Sequence, residues 1–184
     1  MKIKYPEIGI CGLSCRLCPH YHTEGPSRCG GCKTESRTCA GCPFITCALK
    51  KKGIEFCWDC QESETCEKWT RHREIAKNVD SFKCYQKLED DIAFVRKNGV
   101  NEFEKMQKMR EHLIKEMLWE FNEGRSKSYY CIAATVMEIG ELEEALSEAT
   151  KNSDGLDIKE KSGVLHSILD EIARQRNYFL KLRK

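Results

Sequence analysis

Residues 11–32, CGLSCRLCPHYHTEGPSRCGGC, place five cysteines in 22 positions, with Leu13 and Leu17 as the only aliphatic side chains among them. A segment so poor in apolar residues cannot fold around a hydrophobic core. Its sulfurs must hold it, as disulfides or as metal ligands.

The same composition continues to Cys66. Eleven of the thirteen cysteines lie between Cys11 and Cys66, and only Cys84 and Cys131 follow. The chain starts MKIKYPEIGI, with no apolar stretch of signal-peptide length, and nowhere runs to the ~18 consecutive apolar residues a membrane span needs. A cytoplasmic, reducing setting is therefore expected, with no membrane partner. Thiols persist there, and metal is the expected staple.

Zinc takes four ligands in a tetrahedron, and a CxxC turn points two sulfurs at one ion. Four such pairs occur within 46 residues: Cys15 with Cys18, Cys29 with Cys32, Cys39 with Cys42, and Cys57 with Cys60. The simplest site joins Cys15, Cys18, Cys29 and Cys32, where Gly30 and Gly31 ease a tight backbone around the sulfurs. A second joins Cys57 and Cys60 to two of Cys39, Cys42 and Cys47, with Cys42 and Cys47 the expected pair. Cys11, Cys39 and Cys66 are left for a third ion, completed by one of His20, His22 or His72. Two or three Zn2+ per chain follow; an iron–sulfur cluster is the alternative, since CxxC sets hold either metal.

Beyond Cys66 the pattern becomes helical. Trp69, His72, Ala76 and Val79 recur at spacings of three and four, as do Leu88, Ile92 and Val95 before Asn98-Gly99. Further helices are expected over 101–122 (Phe103, Met106, Leu113, Met117, Phe121), 126–150 (Tyr129, Ile132, Val136, Ile139, Leu146) and 157–182 (Leu165, Ile168, Leu169, Ile172, Phe179). A short helix over 45–52, ITCALKKK, is ended by Gly53. The expected fold is mainly α: a small irregular zinc-knuckle module over 1–66 and an antiparallel helical bundle over 67–184.

CGLSCRLCPH at 11–20, CGGC at 29–32, CPFITCALKKKG at 42–53 and CWDCQESETC at 57–66 together resemble an uncharacterised, cysteine-rich prokaryotic family, domain of unknown function 3795, described as zinc-binding. The resemblance covers roughly residues 9–70 and leaves out the helical half. It implies that Cys11, Cys15, Cys18, Cys29, Cys32, Cys42, Cys47, Cys57, Cys60 and Cys66 occupy the family's cysteine positions. Cys39 is then an addition, and Glu64-Thr65 replaces a Phe-Pro pair found in many relatives. It implies no reaction.

Three function classes compete. The first is an interaction or regulatory module stapled by structural zinc, with a protein partner. The second is nucleic-acid binding through Arg16, Arg28, Lys33, Arg37 and Lys50 to Lys52. Residues 1–60 hold nine basic against five acidic residues, but two zinc–tetrathiolate sites, each of formal charge −2, would cancel that excess. The third is iron–sulfur or thiol redox chemistry. The CxxxCxxC of Cys11, Cys15 and Cys18 has the spacing of a radical-SAM cluster, yet the strand–helix alternation of that barrel is missing. No HExxH, phosphate loop or GxSxG elbow is present, so no catalytic residue is assigned.

Overall fold

The apolar periodicity beyond Cys66 folds into six α-helices: α1 (Glu67–Ala76), α2 (Leu88–Asn98), α3 (Val100–Glu120), α4 (Lys127–Val136), α5 (Ile139–Lys151) and α6 (Ile158–Arg176). The structure, a computed structural model, describes residues 2–34 and 41–184. Cys39 and Arg37, named above, lie outside the described residues.

Each long helix buries the stripe its spacing predicts. Phe103 and Met117 of α3, Leu142 of α5 and Leu165 and Leu169 of α6 are wholly buried. With Ile114, Tyr130, Ala133, Ala134 and Leu146 most of them form one contiguous core. Each large side chain so buried contributes roughly 1.5–3 kcal/mol. At the start of α6, Asp157 accepts from the amides of Lys159 and Glu160 while Glu160 accepts from the Asp157 amide, closing a capping box.

Three expectations need correction. The helix expected over 126–150 is two helices, because Met137 and Glu138 are extended between α4 and α5. The Arg110 guanidinium of α3 donates to the carbonyls of Ala134 and Met137, both at 2.6 Å. Those bonds satisfy acceptors that a broken helix would otherwise bury unpaired. The last helix stops at Arg176, where Asn177 turns left-handed with φ 58°, so Phe179 lies off the stripe and half-exposed. Val79 is likewise exposed, because α1 ends at Ala76.

The cysteine-rich part is built from turns. Among the described residues it contains no strand, only an isolated antiparallel bridge between Ile8 and Ser14. Its one longer element is the expected helix Ile45–Lys52, wound with wide π-type turns and ended by Gly53 at φ 64°. The module is seated on the helices through Arg16. That buried guanidinium bonds the Glu111 carboxylate of α3 and lies 3.4 Å from Glu7 and 3.6 Å from Glu104.

Candidate metal centre

Two CxxC segments fold into the same knuckle. In Cys15–Leu17 and Cys57–Asp59, one short helical turn lets the amide three residues on bond back: Cys18 to Cys15 at 3.0 Å, Cys60 to Cys57 at 3.2 Å. The turn then repeats, Tyr21 to Cys18 and Ser63 to Cys60, both at 2.9 Å. Each knuckle presents its two cysteines from one short turn, the local geometry that a tetrahedral ion uses.

Around the first knuckle Cys15, Cys18, Cys29 and Cys32 are all buried. Cys15 and Cys32 are hydrogen-bonded sulfur to sulfur, a bond that holds Cys15 below the ordinary thiol range and Cys32 above it. Cys18 lies within electrostatic reach of Cys29. Two glycines permit this approach. A side chain at Gly31, where φ is 107°, would sit 2.8 Å from the Pro6 carbonyl, and one at Gly9 would sit 2.9 Å from that of Leu13. The Cβ position at Gly9 is also 3.6 Å from the sulfurs of both Cys11 and Cys32.

The second knuckle is one wall of a cavity of about 110 Å³, lined by Cys47, Cys57, Cys60 and Cys66 together with Phe44 and Trp69. Cys66 is the N-cap of α1 and Cys47 lies in the first turn of Ile45–Lys52. Burial pushes the Cys57 thiol up to about 12, and Cys11, Cys66, Cys47 and Cys60 push it the same way. The Lys52 ammonium donates to the Cys60 sulfur at 3.2 Å and pairs with Glu62 at 2.8 Å.

A second cavity, of about 320 Å³, is lined by Cys11, Cys32, Cys42, His72, Lys83 and Tyr85, with Phe44 and Phe82 among its apolar walls. The His72 ring lies 5.1 Å from Phe44 and 5.4 Å from Tyr85, centroid to centroid, and its Nε2 is buried with no hydrogen-bond partner. Burial holds that imidazole below its ordinary range, hence neutral at pH 7.

The cavities gather the cysteines as follows. Cys66 lies with Cys47, Cys57 and Cys60, and Cys42 lies on the other cavity with Cys11. His20 is exposed and stacks edge-on with Phe82, and His22 bonds the Arg16 carbonyl at 2.5 Å. Lys83, Tyr85 and Phe82 reach the cavity from the segment joining α1 and α2, and no motif in the sequence marked them.

The donor chemistry fits zinc. Twelve described cysteines are free thiols, soft ligands whose protons a dication displaces. Among the described residues no three His, Cys, Asp or Glu side chains are drawn close enough to hold an ion as they stand. No described helix is long and apolar enough to cross a membrane. No curated protein and no solved structure matches the chain. Residues 7–71, which contain both knuckles and eleven of the thirteen cysteines, match the family described as "Protein of unknown function (DUF3795)".

Proposed function

We propose that residues 7–71 are a zinc-stapled module with two closed sites, Cys15/Cys18/Cys29/Cys32 and Cys47/Cys57/Cys60/Cys66, in a cytoplasmic protein that acts by binding a protein partner. The observation that carries this reading is the gathering of Cys47, Cys57, Cys60 and Cys66 around one small cavity. An all-thiolate set closes the coordination sphere and makes the metal structural.

The basic residues considered for nucleic acid are largely engaged within the protein. Arg16 bonds Glu111, Lys33 pairs with Glu55 at 3.0 Å, and Arg28 donates to the Tyr21 carbonyl at 3.1 Å. By contrast Trp119 on α3 is 84 % exposed, an apolar handle suited to a protein surface. Elemental analysis of purified protein is the test. At least two zinc ions per chain are expected, with one lost in Cys57→Ser. Iron with a brown chromophore, or no metal, overturns the reading.

A further inference from the structure

The cavity of about 320 Å³ lies where three parts of the chain converge: residues 9–13 and 41–45 of the module, His72 of α1, and residues 82–85 before α2. We propose that it binds a small, uncharged aromatic molecule carrying one hydroxyl group, with the ring against Phe44 and Phe82 and the hydroxyl hydrogen-bonded to His72 Nε2. The site does not depend on zinc, and it adds a small-molecule ligand to a protein read above as binding another protein.

The size and wall of the cavity are those of a ligand pocket. Such pockets run to roughly 300–1,000 Å³ and are mostly apolar with a few placed polar groups. Here Ile10, Leu13, Pro43, Phe44, Ile45 and Phe82 give the apolar wall. The other hollows of the module do not match this description. The one at Cys57 and Cys60 is about 110 Å³, and a hollow of about 400 Å³ beside it is lined by Lys52, Asp59, Gln61 and Glu62 with no aromatic wall.

The walls also select for shape and charge. Phe44 and Tyr85 lie 5.1 and 5.4 Å from the His72 ring, and Trp69 stacks on it at 6.0 Å, centroid to centroid. Aromatic faces and edges favour a flat partner in offset or edge-to-face contact. Lys83 is the one charged side chain on the wall among the described residues, and its ammonium lies over the Phe82 ring, 5.4 Å from the centroid. With that cation already engaged, an ionised ligand would lose its hydration for too little in return.

His72 supplies the polar contact. Its Nε2 is buried and has no hydrogen-bond partner among the described residues, an arrangement that costs free energy until a partner arrives. A hydroxyl both donates and accepts, so it satisfies this nitrogen in either tautomer of the neutral ring. A purely apolar ligand would leave it unpaired.

The test titrates the full chain with 2-naphthol, and with naphthalene as the probe lacking the hydroxyl, followed by amide chemical shifts. Saturable shifts are expected at residues 9–13, 41–45, 72 and 82–85, with 2-naphthol binding roughly tenfold more tightly than naphthalene. His72→Phe keeps a ring and loses the nitrogen, so the two probes should bind it equally. Cys42→Trp should fill the cavity and abolish binding of both. Absence of saturable binding of 2-naphthol to the wild type, or shifts confined to other residues, overturns the site. Equal affinity of the wild type for the two probes overturns recognition of the hydroxyl by His72. Both comparisons need only the wild type, so they decide even where a variant fails to fold. Two zinc ions per chain without naphthol binding would sink this site and leave the closed sites standing; naphthol binding by protein without zinc would do the reverse.

Discussion

In the bundle, Leu142, Leu165 and Leu169 have no solvent exposure and pack into one apolar core. In the module sulfur takes many of the interior positions: Cys15, Cys18, Cys29 and Cys32 are buried, and Cys15, Cys18 and Cys32 share one small cluster with Ile10, Tyr21, Ile45 and Ala48. A leucine core stabilises in proportion to the area it hides and tolerates some repacking. On the zinc reading proposed above, a thiol interior stabilises mainly through its ion, and each ligand is needed. The two regions should therefore fail under different insults.

The largest effect expected is from metal removal. A strong chelator with a reducing agent should abolish amide-exchange protection across 7–66 while α3 to α6 keep theirs, since structural zinc supplies on the order of 10–16 kcal/mol of folding free energy per ion. Joint loss of both protections would break the comparison. The reverse insult is Leu165→Ala, expected to cost about 4 kcal/mol in urea unfolding followed by helical signal. Zinc content should not change.

The seam between the regions can be opened separately. Arg16→Ala leaves the buried Glu111 carboxylate with Lys115, at 2.7 Å, as its remaining ion-pair partner. A loss of about 3 kcal/mol is expected, near the low end for breaking a buried pair, because Lys115 still compensates. A double-mutant cycle with Glu111→Gln should show strong coupling. Additive effects would mean that Arg16 does not join the two regions.

A pH dependence is expected at the same seam. Asp91 of α2 borders a small cavity shared by Ser14 and Cys18 of the module and Thr135 of α4. Burial pushes its carboxyl up to about 7, opposed by Arg110. Its folded pKa thus lies above the unfolded value near 3.9, so its contribution is fully present below about pH 4 and is lost as pH rises through 7. Stability should fall over that window, and Asp91→Asn should flatten the fall. A flat wild-type profile would count against a buried Asp91.

What the sequence made legible follows the same division. Helical stripes are local, so Phe103, Met117, Leu165 and Leu169 could be placed in a core from spacing alone. The short helix ending at Gly53 was legible because a residue at positive φ leaves a local mark. The break between α4 and α5 was not, since Arg110 of α3 supplies the cap from 24 and 27 residues away. Nor was the grouping of the thiols. Spacing yields CxxC knuckles, but Cys66 joins Cys57 and Cys42 faces Cys11 only through tertiary folding.

One further contact sets an order of events. Arg183 donates to both carboxylate oxygens of Asp80, at 3.0 Å each, and to the Ala76 carbonyl at the end of α1, at 2.8 Å; the Asp80 amide bonds the Arg183 carbonyl at 2.9 Å. These partners stand 103 residues apart along the chain. Joining them before the intervening helices have condensed would incur the closure entropy of that whole loop. The clasp is thus a late folding step, a buckle fastened over helices already in place. Loosening it should speed unfolding more than it slows folding.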